Sequence, residues 1–176
     1  MSSRSALPAP VATIVAALVF AAGGCRARAA APAAVPTASQ PAVDTAAQRA
    51  AIAASLDSFV VAFNDLDSAR FAARWAAGAT AFFPFADTPA RVDGRDAVLA
   101  RFSAYFAEVR RERTGPPYLR IVPRDVAITL LDDRAAVASF VFTAGTRTAR
   151  RTAVVVREPD GAWRIAHLHA SMMEGR

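Results

Sequence analysis

The sequence is poor in residues that cross-link chains or bind metals. It has one cysteine, Cys25, two histidines and no lysine, so that all 21 basic residues are arginine. A lone cysteine excludes an intrachain disulfide bond. Zinc in proteins takes three or four ligands, whereas His167 and His169 supply two, and no third histidine or available thiol accompanies them. We therefore predict neither a metal site nor a cofactor.

Positive charge is in excess but is not concentrated. The formal net charge is +6 over 176 residues, and Arg4, Arg26 and Arg28 contribute to it near the N-terminus. From residue 44 onward, 18 arginines are interspersed with 15 acidic residues. A balance of charges this even does not predict nucleic-acid binding. The length of the chain is that of one domain with a single core.

Residues 1–25 resemble a bacterial lipoprotein signal peptide. One positive charge precedes an apolar run from Val11 to Ala22, and small residues follow up to Cys25. In such a signal Cys25 is lipidated and becomes the mature N-terminus. This implies a cell-envelope protein, on the periplasmic side or the cell surface, that touches the membrane only through its lipid anchor. A cleaved secretory signal, which leaves a secreted protein, and an uncleaved anchor stay open as alternatives, although the run is short for a membrane span.

Residues 26–43 differ from the rest of the chain in composition. They are mostly Ala, Pro, Thr, Ser and Gln, with few large apolar side chains. Such a stretch cannot bury enough surface to offset its chain entropy, so we predict a disordered tether. The folded domain is predicted over residues 44–176.

Helical spacing dominates the first half of this domain. The first helix is predicted from an N-cap at Asp44 or Thr45 to Asn64, and another is predicted from about Arg95 to Arg111. Apolar residues of the first recur at three- and four-residue spacing: Ile52, Leu56, Phe59, Val60 and Phe63. Those of the other are Val98, Phe102, Tyr105, Phe106 and Val109.

A short helix is predicted between these two. Asp67 or Ser68 can cap its N-terminus, Phe71 and Trp75 are its apolar residues, and Gly78 is predicted as its left-handed stop. The three helices together form one layer of the predicted fold.

The second half changes to the two-residue period of β-strands. A strand over 79–83 precedes the last helix, and four extended runs follow it, at about 118–131, 134–143, 146–157 and 163–172, with connections short enough for hairpins. Pro123 predicts a bulge or bend in the first of these runs. Helices first and an antiparallel meander last indicate an α+β fold in which three helices pack on a curved, mainly antiparallel sheet.

The last strand shows the most informative pattern. Side chains two apart on a strand point the same way, so Trp163, Ile165, His167, His169 and Ser171 are predicted to share one face. A face that passes from an aromatic and an aliphatic residue to two imidazoles and a hydroxyl is typical of a cavity wall.

In the order of its elements and the pattern of its last strand, the domain resembles the nuclear transport factor 2-like superfamily over about residues 46–172. That superfamily includes ketosteroid isomerase, SnoaL-type polyketide cyclases and the association domain of calcium/calmodulin-dependent kinase II. The residues that carry the resemblance to SnoaL-like proteins and to the association domain are Gly161, Trp163, His167, His169 and Ser171, with Arg150, Thr152 and Val154 on the strand before. The resemblance implies a cone-shaped α+β barrel.

The predicted ligand-binding residues are Arg150, Trp163, His167, His169 and Ser171, with Arg151 as the alternative to Arg150. An arginine inside the cone favours an anion. His167 and His169 are the best candidates for general acid and base, although no carboxylate is spaced to orient them. The isomerase mechanism on this fold needs a carboxylate base, and neither Asp57 nor Asp87 fits that role.

The sequence therefore favours an envelope lipoprotein whose SnoaL-like domain binds a small organic ligand, with catalysis left open. The alternatives are a non-catalytic association or oligomerisation module and, third, a SnoaL-type cyclase, hydratase or isomerase. The opposite face of the last strand is also apolar, which predicts a homodimer that packs through Ala166, Leu168, Ala170 and Met172.

Overall fold

The described part of the chain is residues 45–84 and 91–173 of a computed structural model, and it forms an α+β domain. The signal peptide predicted over 1–25, with Cys25, and the tether predicted over 26–43 lie outside the described residues. Asp44 and Asp87 lie outside them as well.

Three helices form one layer: α1 (Thr45–Asn64), α2 (Ser68–Ala72) and α3 (Arg95–Glu112). The predicted bounds of α1 and α3 are thus confirmed within about one residue. Asp67 caps α2, because its Oδ1 accepts a hydrogen bond of 2.9 Å from the backbone N–H of Arg70. By length and composition α1 could cross a membrane, but its large apolar side chains, Ile52, Leu56, Phe59 and Val60, are buried in the domain core.

The prediction for residues 75–78 is wrong. Trp75 begins the first strand instead of ending α2, and Gly78 lies within that strand instead of stopping a helix. The cause is pairing with a distant strand, since Trp75 lies beside Ile165. Tertiary pairing of this kind overrides a weak local preference, and α2 ends after five residues.

Six strands form one sheet in the order β2-β1-β6-β5-β4-β3. Four of the five pairings are antiparallel, and β1 and β6 are parallel. The fold prediction of helices packed on a mainly antiparallel sheet is therefore confirmed. The strands are β1 (Trp75–Phe82), β2 (Val92–Asp93), β3 (Arg124–Leu130), β4 (Ala135–Ala144), β5 (Arg147–Arg157) and β6 (Trp163–Met172).

Strand β3 is shorter than the predicted run over 118–131. The backbone N–H groups of Tyr118 and Leu119 both donate to the carbonyl of Asn64, at 2.9 and 3.0 Å, so this segment is bound to the end of α1 and not to β4. The bulge predicted near Pro123 is present just beyond it, as a register shift between Arg124 and Ala127.

Aromatic rings from the helices fill the space above one end of the sheet. Phe71 lies at their centre, with its ring 4.7 Å from that of Phe102 and 5.0 Å from that of Phe59. Trp75 and Phe106 are fully buried beside it. These rings form the centre of the hydrophobic core, and Phe59 and Phe102 also face a cavity that extends toward the β4–β5 hairpin.

Candidate functional site

A cavity of about 630 Å³ lies between the helices and the inner face of the sheet. This volume is in the range of small-molecule sites. Most of its wall is apolar: Phe59, Val60, Phe63, Phe83, Pro84, Phe102, Leu119, Ile121, Phe140, Phe142, Leu168, Ala170 and Met172. Because aromatic side chains form much of this wall, the cavity suits a ligand with an apolar body.

The ionisable groups of the cavity wall have one sign. Five arginines line it: Arg101, Arg113, Arg120, Arg147 and Arg151. Within the described residues, no aspartate, glutamate or histidine lines the cavity. Because arginine stays protonated at neutral pH, the charge that the described residues bring to the wall is positive there. The arrangement can attract and hold an anion.

Arg151 is a cavity arginine in the middle part of the sheet, on β5. It pairs with Phe140 on β4 and Ala170 on β6, both of which are buried on the inner face. Its guanidinium carbon lies 4.8 Å from the centre of the Phe142 ring, close enough for a cation–π contact. The one-residue ambiguity between Arg150 and Arg151 is thereby resolved, since Arg151 points inward.

Two of the five N–H donors of Arg151 are used within the protein. Its Nη1 donates to the carbonyls of Arg150 and Ser171, at 2.8 and 3.3 Å. Nε and Nη2 donate to no described residue, and no described carboxylate lies within salt-bridge distance. Burial lowers the pKa of Arg151 to about 10, although the nearby Tyr105 opposes the shift. The group therefore stays charged at neutral pH without a described counter-ion.

Tyr105 supplies a hydroxyl to the same cavity. Its ring stacks on Phe63, with 5.9 Å between the ring centres. Burial raises the pKa of Tyr105, and the charges of Arg113 and Arg151 act in the opposite direction. The phenol therefore stays protonated at neutral pH.

The histidines do not point into this cavity, so the prediction for the last strand is wrong at their positions. Strand β6 contains a bulge: Val154 pairs with His167, but Val155 pairs with Ile165. The extra residue reverses the alternation of faces. Trp163 and Ile165 point into the core, whereas His167 and His169 lie on the outer face of the sheet.

On that outer face the two imidazoles lie beside β1. His167 Nδ1 is 2.7 Å from the hydroxyl oxygen of Thr80, and both imidazoles contact the ring of Phe82. Burial, followed by the charges of His169 and Arg91, lowers the pKa of His167. His167 is therefore a structural neighbour of β1, and its geometry gives it no access to a ligand in the cavity.

The other predicted site residues are also outside the cavity wall. Arg150 is exposed and pairs with Ser171 on the outer face. Trp163 is buried in the core, where its carbonyl accepts a hydrogen bond of 2.7 Å from Ser55. Among the described residues, no group of three or more His, Cys, Asp or Glu side chains is placed to hold a metal ion.

The face predicted to form a dimer contact lines the cavity instead. Leu168 and Ala170 are buried and line it, and Met172 lines it beside them. The sequence carries a signal for this reversal, since apolar residues occupy odd positions up to Ile165 and even positions from Leu168 onward. The homodimer stays a prediction, but it requires the other face of the sheet.

Comparison with known proteins agrees with the fold. A family model described as SnoaL-like domain matches residues 52–174. No curated protein matches the chain. Among solved structures, an NTF2-like protein of unknown function from Pseudomonas putida KT2440 is similar, with 19% identity and a TM-score of 0.61 over 72% of this chain and 87% of that one.

Two further structures place the fold in the same group. A domain of unknown function with a cystatin-like fold from Nostoc punctiforme is 21% identical, with a TM-score of 0.59 over 74% of this chain and 80% of that one. A ketosteroid isomerase-like protein from Erwinia carotovora atroseptica is 15% identical, with a TM-score of 0.58 over 72% of this chain and 96% of that one. At these identities the likeness shows the cone-shaped fold alone.

Proposed function

This chain belongs to the SnoaL-like domain family, and from that premise we propose that its cavity binds a small organic anion with an apolar body. The observation that carries the proposal is Arg151, a charged group in an apolar cavity with no described counter-ion. Removing a charge from water is costly unless a partner of opposite charge compensates. A bound anion supplies that partner.

The geometry of Arg151 favours a carboxylate. Nε–H and Nη2–H lie along one edge of a guanidinium group, and this is the edge that the protein leaves without a partner. Two parallel donors on one edge match the two oxygens of a carboxylate.

A catalytic role receives less support from the described residues. Proton abstraction on this fold requires a base inside the cavity. The described wall offers arginine, tyrosine and threonine as its polar side chains, none of which is a base at neutral pH. Binding therefore accounts for the cavity better than a cyclase, hydratase or isomerase reaction does.

Association with a second copy is the second candidate function. The outer face of the sheet carries Val137, Val141 and Val154, which are only partly buried within one chain. Two such faces can bury each other's apolar side chains in a homodimer. Light scattering on the purified protein tests this candidate, and a monomer at micromolar concentration contradicts it.

The cellular location belongs to the same proposal. With Cys25 lipidated, the domain is held at the cell envelope through the stretch over 26–43, outside the cytoplasm. An anion-binding domain in that place would encounter small molecules that enter or leave the cell.

Calorimetry with decanoate tests the binding function. The full chain carries Cys25→Ser, which prevents lipidation, and we expect decanoate to bind and neutral decanol to bind much more weakly. Arg151→Gln should weaken decanoate binding by about tenfold or more, and Arg151→Lys, which keeps the charge but not the two-donor edge, should restore only part of it. Arg150→Gln is the matched control, because Arg150 is adjacent but exposed on the outer face. Equal affinity for decanol and decanoate contradicts the proposal.

A further inference from the structure

The open end of the cavity carries three exposed arginines. Arg113 follows α3, Arg120 lies in the segment that is bound to the end of α1, and Arg147 begins β5. All three line the cavity and are exposed, whereas Arg151 is only partly exposed. They therefore form a rim around the opening, and Arg151 lies deeper.

The rim arginines have no acidic partners within the described residues. No described carboxylate forms a salt bridge with Arg113, Arg120 or Arg147. Three arginines elsewhere on the surface do have acidic partners: Arg70 with Asp65, Arg91 with Asp93 and Arg164 with Asp160. Arg111 and Arg150 have none in the described part of the chain, so the rim differs in holding three unpaired guanidinium groups at one opening.

Several unpaired charges of one sign at a single opening repel each other. The repulsion is moderate in water, but an opening with low-dielectric walls strengthens the combined field. A monocarboxylate held by Arg151 neutralises one guanidinium inside and leaves the rim uncompensated. A ligand with a second anionic group at its other end would compensate the charge of Arg151 and the charge of the rim.

We infer that the ligand is a dianion, with one carboxylate bound by Arg151 inside the cavity and a second anionic group held at the rim by Arg113, Arg120 and Arg147. This inference rests on the proposed anion-binding function and extends it to a class of substrate, organic molecules with an acidic group at each end of an apolar body. Most of the cavity wall is apolar, which suits that body.

Calorimetry with decanedioate and decanoate tests the inference, because the two acids share a chain of ten carbons and differ in one terminal carboxylate. At low ionic strength the diacid should bind about tenfold more tightly than the monoacid. The preference should decrease as salt is added, since exposed charges are screened over about 10 Å at 0.1 M ionic strength.

Variants of the rim arginines test whether these residues cause the preference for the diacid over the monoacid. In the triple variant Arg113→Gln, Arg120→Gln and Arg147→Gln, the affinity for the diacid should fall by a larger factor than the affinity for decanoate, so that the diacid loses its advantage. Arg111→Gln is the control, because Arg111 is exposed on α3 but does not line the cavity.

Each outcome decides a different point. Equal affinity of the two acids for the parent protein, or a preference that the triple variant retains, overturns the dianion and leaves the single-anion cavity in place. Binding of neither acid overturns the anion-binding function and the dianion with it. Loss of the preference in the control as well as in the triple variant shows a general charge effect and overturns the assignment to the rim.

Discussion

Asn64 binds the backbone of Ile121 through both ends of its side-chain amide. Its Nδ2 donates to the carbonyl of Ile121 at 2.9 Å, and its Oδ1 accepts from the N–H of Ile121 at the same distance. Through these bonds the last residue of α1 fixes a segment that provides Leu119, Arg120 and Ile121 to the cavity wall. One polar side chain thus links the helix layer to the geometry of the site.

Replacement of Asn64 by alanine should destabilise the domain. The change removes two partly buried hydrogen bonds and leaves a backbone N–H and a carbonyl without partners, which predicts a loss of about 2 kcal/mol in the free energy of unfolding. Urea denaturation followed by circular dichroism measures it. Ser58→Ala, on the same helix, removes only an exposed bond to Ala54 and should cost much less. Similar losses in the two variants would contradict the importance assigned to this link.

Arg151→Met should raise the free energy of unfolding of the ligand-free protein by about 1 kcal/mol, because it replaces a desolvated charge with an apolar side chain of similar length. The same change should abolish decanoate binding, which would show that the arginine is retained for a ligand at the expense of stability. Arg150→Met, on the exposed face, should change stability by less than about 0.5 kcal/mol. A marked loss of stability in Arg151→Met would show instead that the guanidinium is a structural element.

The pKa of His167 makes the stability of the fold depend on pH. Burial, His169 and Arg91 hold this pKa below its ordinary value of 6.5. Above pH 6.5 the imidazole is neutral in both folded and unfolded chains. As the pH falls below 6.5, the unfolded chain takes up the proton more readily, so the folded state loses stability until the lowered pKa is passed.

Comparison with His167→Gln isolates this effect from the carboxylates, which titrate in both proteins. The parent should lose stability relative to the variant between about pH 7 and 5, as measured by urea denaturation at several pH values. An NMR titration of the imidazole should give a midpoint below 6.5. Parallel stability curves for the two proteins would show that His167 is as well hydrated as in a free chain.

Much of the fold could be predicted from local pattern. The bounds of α1 follow from apolar spacing and a polar cap, and those of β6, Trp163–Met172, agree with the predicted strand. The cavity residues could not be predicted in the same way. Arg113, Arg120 and Arg147 come from three segments that only the tertiary structure brings together, and their local sequence is that of ordinary surface arginines.

The error over the histidines has a specific physical cause. A strand is expected to alternate strictly, and one extra residue between Ile165 and His167 reverses every side chain beyond it. Motif spacing alone therefore placed His167 and His169 inside the cone. The apolar residues Leu168 and Ala170 indicate the correct orientation, because burial decides which face of a strand points to the core.

Cys25 should carry a lipid in the bacterial host. If the signal is of the lipoprotein type, growth with an alkyne-labelled fatty acid should label the protein, and Cys25→Ser should prevent both the labelling and the membrane association. In detergent phase partitioning, the parent protein should enter the detergent-rich phase. A lipidated N-terminus adds about 0.8 kcal/mol of membrane affinity per buried methylene. Arg26→Ser, beside the cysteine, is the matched control and should leave the labelling intact. Release of an unlabelled parent protein into the medium would instead support the cleaved secretory signal, and the anion-binding domain would then act free of the membrane.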